Sequence, residues 1–175
     1  MIVYLLRHGI AADLASGRFA SDADRPLTDE GWEKMRQEAA GMRAMGLELD
    51  AIFTSPLRRA RETAQTVAEA YGMEDQMTVL ETLAPGRGLS SRFDQHAPIF
   101  VELGAQKFER AVLVGHQPDM GELASALLAG FRGLNIDFKK GALCAIDVER
   151  LAPDPGNALL WFLAPRHLRM LGKTS

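Results

Sequence analysis

Three short apolar runs, each unbroken by polar residues, constrain this chain more than any other feature. Ile2-Val3-Tyr4-Leu5-Leu6 leads into Arg7-His8-Gly9. Ala51-Ile52-Phe53 leads into Thr54-Ser55-Pro56, with Arg58 and Arg59 just beyond. Ala111-Val112-Leu113-Val114 leads into Gly115-His116-Gln117-Pro118. Short runs rich in Ile, Val and Leu suit strands buried on both faces of a parallel sheet. Ligands of such sheets bind in the crevice beyond the carboxyl ends of the strands. Three separate segments therefore converge on one crevice, bringing His8, His116, Arg7 and at least one further arginine.

The intervening segments read as helices and turns. After a strand over 2–6, residues 10–27 form a polar loop. Thr28 caps a helix whose first turn carries Asp29 and Glu30, and which runs to about Met45 before Gly46. A strand over 51–54 precedes a helix over 57–71, closed by Gly72. A short strand over 77–80 leads to a loop with Pro85, Gly86 and Gly88, then a helix over about 91–104 that contains Pro98. The third buried strand, 111–115, feeds a helix over 119–129. Strands over 142–148 and 158–163 flank the turn-rich segment Ala152-Pro153-Asp154-Pro155-Gly156-Asn157, and a short helix over 166–171 follows. Alternating strands and helices imply an α/β protein. The expected architecture is a three-layer α/β/α sandwich with a mostly parallel central sheet and an antiparallel C-terminal edge hairpin. The 175 residues suit one domain, 1–175, with one sizeable core.

Composition narrows the function classes. A net charge of −3 lacks the overall basic charge expected of many nucleic-acid binders, so no nucleic-acid partner is expected. No apolar stretch approaches the ~20 residues of a membrane span. The chain begins on a strand-like run without the pattern of a secretory leader, which makes a cytoplasmic protein the default expectation. Cys144 lies in a strand-like segment and reads as a small core residue. There is no CxxC and no HExxH, so neither a metal nor a cofactor is expected.

The candidate site residues gain weight from their neighbours. Arginine disfavours burial without a partner, so Arg7 beside His8 at a strand end suggests an anion between them. Gly9 allows close backbone approach or a positive φ. His116 repeats the arrangement ahead of Pro118, which would open a helix whose N-terminus favours anions. Arg58 and Arg59 point about 100° apart on a helix, so one of them enters the crevice. Arg25, before Pro26, serves either a loop salt bridge or a second phosphate contact. His96 and His167 read as surface residues, and Trp32 and Trp161 as packing residues.

Taken together, Arg7-His8-Gly9, Ser55-Pro56-Leu57-Arg58-Arg59-Ala60-Arg61-Glu62-Thr63-Ala64 and Gly115-His116-Gln117-Pro118 resemble the RHG, SPxxRAxxTA and GHxP segments of the histidine phosphatase superfamily, which includes the phosphoglycerate mutases. Arg25-Pro26-Leu27-Thr28 with Gly31 further resembles the RPLTxxG of the small SixA-type phosphohistidine phosphatases. The resemblance implies the phosphoglycerate mutase-like fold and makes Arg59, not Arg58, the phosphate arginine. It implies that His8 attacks phosphorus to give a phosphohistidine intermediate that water then hydrolyses. Arg7, Arg59 and His116 would offset charge on the transferring oxygens, and Arg25, Gly9 and Glu81 are candidate substrate-binding residues. Glu81 lies near where mutase-like members carry a glutamate acid, although matching Leu83-Ala84-Pro85 to the SixA-type pattern puts Thr82 at that place. Only about 30 residues separate the strands at 77–80 and 111–115, fewer than in mutase-like members. The open crevice this implies would admit a phosphorylated protein, such as a histidine phosphotransfer domain of a signalling relay. The alternatives are a small phosphorylated metabolite, hydrolysed by a phosphomonoesterase on the same fold, and a phosphate-binding module without turnover.

Overall fold

The computed structural model describes residues 1–89 and 93–173. Its strands are β1 (Ile2–Arg7), β2 (Ala51–Thr54), β3 (Met77–Val79), β4 (Arg110–Gly115), β5 (Leu143–Asp147) and β6 (Ala158–Leu163). The helices are α1 (Asp29–Ala44), α2 (Arg58–Tyr71), α3 (Pro98–Gly104), α4 (Asp119–Ala129) and α5 (Pro165–Gly172). All six strands form one sheet in the order β3-β2-β4-β1-β5-β6. The first four are mutually parallel, whereas β5 runs antiparallel to both β1 and β6. This is the expected α/β sandwich with its antiparallel edge hairpin.

Strand pleating divides the apolar runs between two cores. Val3, Leu5, Phe53 and Leu113 face a cluster completed by α3 and α4. Tyr4, Leu6, Ile52, Val112 and Val114 face a second cluster built from α1, α2 and α5. Because both faces are covered, β1 and β4 carry no charged side chain between their ends. Cys144 is buried in the first cluster, and burial pushes its thiol up to about 12, as befits an inert core residue.

Local signals account for most boundaries. The Thr28 hydroxyl accepts from the Gly31 N–H at 2.9 Å, which satisfies an orphan donor of α1. Gly72 ends α2 in the left-handed region at φ 65°. One boundary differs from expectation. Residues 91 and 92 of the anticipated 91–104 helix lie outside the described residues, and helix starts only at Pro98. Proline lacks an N–H and clashes with the preceding turn, so it opens α3 instead of interrupting a longer helix.

The contact between α1 and α5 is close. A Cβ at Gly41 would lie 2.0 Å from the Leu168 carbonyl oxygen. This contact lets α5 lie across α1 and carries Arg169 to Glu38. Gly41→Ala separates propensity from packing: helix propensity alone would stabilise by about 1 kcal/mol, whereas overpacking costs ~1–3 kcal/mol or more. A net loss of stability of about 2 kcal/mol is expected, measured by urea denaturation.

Candidate active site

Strand order and register assemble the site. β4 lies between β1 and β2, with Arg7 opposite Gly115 and Thr54 opposite Val114. Just past the strands, the His8 N–H donates to the Gly115 carbonyl and the Ser55 N–H to the Val114 carbonyl, both at 3.0 Å. The three segments that leave these strands thus emerge side by side. His8, Arg59 and His116 are buried together, and the two imidazole centroids are 5.0 Å apart.

The tautomer of His8 follows from its partners. Nδ1 lies 2.7 Å from the Gly9 carbonyl oxygen, which can only accept, so Nδ1 carries the proton. Nε2 therefore keeps its lone pair and accepts from the Arg59 Nε–H at 3.3 Å. Gly9 is held in turn by a 3.0 Å bond from its N–H to the Thr63 hydroxyl, which itself donates to the Arg59 carbonyl at 2.7 Å. Close packing explains the glycine: a Cβ there would meet the Met35 side chain at 2.6 Å. Gly9 serves here by orienting the His8 ring through its backbone carbonyl.

His116 Nε2 lies 2.8 Å from the Ser55 hydroxyl, and its Nδ1 is buried without a partner. Burial, the neighbouring imidazole and the nearby arginines hold the His8 pKa down to about 3. Burial and the arginines do the same for His116, also to about 3, against the pull of Asp22. Both rings are therefore neutral at pH 7, and His8 is a free base. A phosphoryl group bound among them would supply the missing negative charge and raise both values.

Arg59 is buried, whereas Arg58 points outward to Glu62 at 2.7 Å, as the resemblance anticipates. Arg7 donates through Nη1 to the Phe138 carbonyl and leaves its buried Nε unpaired. The Arg25 Nε–H donates to the Ala12 carbonyl, which turns its guanidinium toward Asp22.

Asp22 is the residue that the sequence did not flag. Its Oδ2 accepts from Arg59 at 2.9 Å and its Oδ1 from Arg25 at 2.6 Å. Its backbone carbonyl takes a further bond from Arg59 at 2.7 Å. Burial favours its neutral form, but the bonds to Arg25 and Arg59 outweigh this and lower its pKa. The carboxylate thus stands on two arginines suited to phosphate. It sits in a polar turn without periodicity, so only its proximity to Arg25 hinted at a role.

Glu81 follows β3 at the site end of the sheet but faces solvent, with the Arg87 guanidinium 3.6 Å away. Of the two facings open to it, the outward one is realised. Thr82 instead donates to Glu102 of α3. His96 and His167 are exposed.

Two outcomes follow. Phosphate must displace the Asp22 carboxylate, whose side chain is 47% exposed, so the displaced interaction is modest. A competing term of ~1 kcal/mol corresponds to about fivefold. Asp22→Asn is expected to lower the inhibition constant of inorganic phosphate by roughly three- to tenfold. The imidazoles make the second outcome a matter of proton linkage. Between pH 3 and 6.5 the unfolded histidines bind protons that the folded ones exclude. Stability from this source is therefore complete above 6.5 and is lost as pH falls toward 3. A His8→Asn, His116→Asn double variant is expected to lose less stability than wild type across that window, read from thermal denaturation at fixed ionic strength.

Comparison with known proteins agrees with this geometry. The profile of the histidine phosphatase superfamily (branch 1) matches residues 3–84. An uncharacterised protein of Picosynechococcus sp. strain PCC 7002 is 37% identical over 96% of this chain and 99% of its own length. The phosphohistidine phosphatase SixA of Escherichia coli K12 is 28% identical over 97% of this chain and 98% of its own. A solved structure of the protein histidine phosphatase SixA with tungstate superposes with a TM-score of 0.77, covering 96% of this chain and 99% of that one at 24% identity, and so shares the fold. With the motif residues gathered at the ends of β1, β2 and β4, the chain belongs to the histidine phosphatase superfamily.

Proposed function

We propose that this protein hydrolyses phosphohistidine on a protein substrate through a phosphorylated His8. The supporting observation is the His8 tautomer: Nδ1 is tied to the Gly9 carbonyl, and Nε2 presents its lone pair beside Arg59. In the first step that lone pair forms a bond to phosphorus. The P–N bond to the substrate histidine breaks, and its electron pair leaves with the departing imidazole, which takes a proton from solvent. In the second step water attacks phosphorus, the P–Nε2 bond breaks, and orthophosphate departs. Dividing the displacement in two lowers each barrier. Arg7, Arg59 and His116 offset charge on the equatorial oxygens. Asp22 has left Arg59 and Arg25 by this stage, and Arg25 gives a further cation to phosphate.

The leaving group supports the choice of substrate. Asp22 is kept ionised by its arginines and does not bring a proton. Glu81 is turned to solvent beside Arg87. An imidazole departs more readily than an alkoxide, so a phosphoramidate has less need of a positioned acid. Similarity to the phosphohistidine phosphatase SixA over nearly the whole chain points the same way.

The test compares kcat/KM for a phosphohistidine-bearing phosphotransfer domain with that for p-nitrophenyl phosphate. A preference of a hundredfold or more for the protein is expected. His8→Ala should abolish both activities, by at least about a thousandfold, as loss of a nucleophile does. Equal or better turnover of the ester by the wild type would assign small phosphomonoesters as substrates on the same nucleophile.

A further inference from the structure

Beside the catalytic cluster lies a cavity of about 480 Å³ between the start of α1, the start of α5 and the segment entering β5. At about 30 Å³ per water molecule, it holds a polyatomic group. Arg7, Lys34, Lys139, Lys140 and Arg169 line it, with one carboxyl, Glu38. Lys34 pairs with Glu30, and Arg169 pairs with Glu38. Arg7, Lys139 and Lys140 draw no ion pair among the described residues. Arg7 and Gly9 line it, and the Arg7 charge reaches both His8 and His116, so the cavity adjoins the imidazole cluster. The segment carrying the lysines is fixed against β1: the Gly141 N–H donates to the Arg7 carbonyl at 3.0 Å, and the Arg7 N–H to the Ala142 carbonyl at 3.2 Å.

The floor is built. Glu38 is 2% exposed, and its Oε2 has no hydrogen-bond partner. Gly141, at φ 82°, presses on it so closely that a Cβ would lie 2.1 Å from Oε2. Burial raises the Glu38 carboxyl to about 8 despite the opposing pull of Arg169 and Lys34. Its pairing with Arg169 leaves Arg7, Lys139 and Lys140 as the cations that this carboxyl does not neutralise.

We propose that this cavity is an oxyanion subsite that binds a second phosphate or carboxylate group of the same substrate, next to the phosphoryl group transferred to His8. The proposal rests on the reading of His8 as the nucleophile and adds a rule of selection: substrates with an additional anionic group close to the scissile phosphate are preferred. On a protein substrate that group would be an acidic side chain near the phosphohistidine. Lys139 and Lys140 are its specificity residues, and neither is among the hydrogen-bond partners of His8 and Arg59.

The experiment uses inhibition of p-nitrophenyl phosphate hydrolysis by orthophosphate, pyrophosphate and tripolyphosphate. Because the reporter is a simple ester, the result is independent of whether phosphohistidine is the favoured substrate. In the wild type, at least one linked polyanion should inhibit competitively and tenfold or more below the orthophosphate constant. Lys139→Gln with Lys140→Gln should shrink that advantage to threefold or less, with kcat and KM for the ester within twofold of wild type. Lys107→Gln with Arg150→Gln removes two charges at the opposite end of the sheet and should preserve the advantage. Equal inhibition by all three anions in the wild type would overturn the proposal, as would an advantage untouched by the lysine pair or lost equally in both double variants. Noncompetitive inhibition by orthophosphate that vanishes with the lysine pair would also overturn it, because the cavity would then hold a free anion and not part of the substrate.

Discussion

The active site depends on the in-register parallel pairing of β1 and β2 with β4. Backbone hydrogen bonds place Arg7 opposite Gly115 and Thr54 opposite Val114, so His8 and His116 leave the sheet at the same level and Ser55 one residue earlier. Side chains in a strand alternate faces, and a slip of one residue would turn Leu5 and Leu113 to the wrong core and carry Arg7 with them. Burial on both faces makes such a slip costly, since the apolar residues of β1, β2 and β4 fill one or other of two apolar clusters. The apolar cores therefore hold the geometry of the candidate site, and the polar residues have only to stand where the strands end.

That arrangement collects like charges. Two arginines and two imidazoles share a buried space, and its electrostatics favour neutral rings and a bound anion. In this structure Asp22 supplies the anion, drawing on Arg59 and Arg25 together. The same imbalance that leaves His8 a free base makes the cluster receptive to phosphate. On the proposed function, a phosphoryl group that displaced Asp22 would find its donors already positioned, with little reorganisation needed at the moment of reaction. The neighbouring cavity extends this excess of cations beyond the transferring phosphate.

Much of this was legible in the residues. Unbroken apolar runs marked the buried strands, and Thr28, Gly46 and Gly72 marked helix ends because caps act within a few residues of chain. His8, Arg7, Arg59 and His116 were legible because each stands at a fixed offset from a strand end. The choice between Arg58 and Arg59 came from the motif, and the fold explains it: Arg59 turns into the buried face of α2, while Arg58 is left to pair with Glu62. The helix expected over 91–104 began at Pro98 because proline's preference for the first turn outweighed the propensity of the residues before it.

Asp22, the outward facing of Glu81 and the cavity over Glu38 were not legible, for a common reason. Asp22 lies in a polar loop whose composition has no period, and its meeting with Arg59 spans 37 residues of chain. The direction of Glu81 turned on the single-residue end of a short strand. Glu38 is a polar position on α1 that becomes buried only where α5 crosses at Gly41 and brings Arg169 from 131 residues away. By itself the sequence determined the strands, their order along the chain and the chemical kinds of residue at their ends, since these are set by short-range periodicity and sterics. Only the tertiary structure decided which charges meet, because contacts between distant segments depend on how the sheet and its covering helices pack.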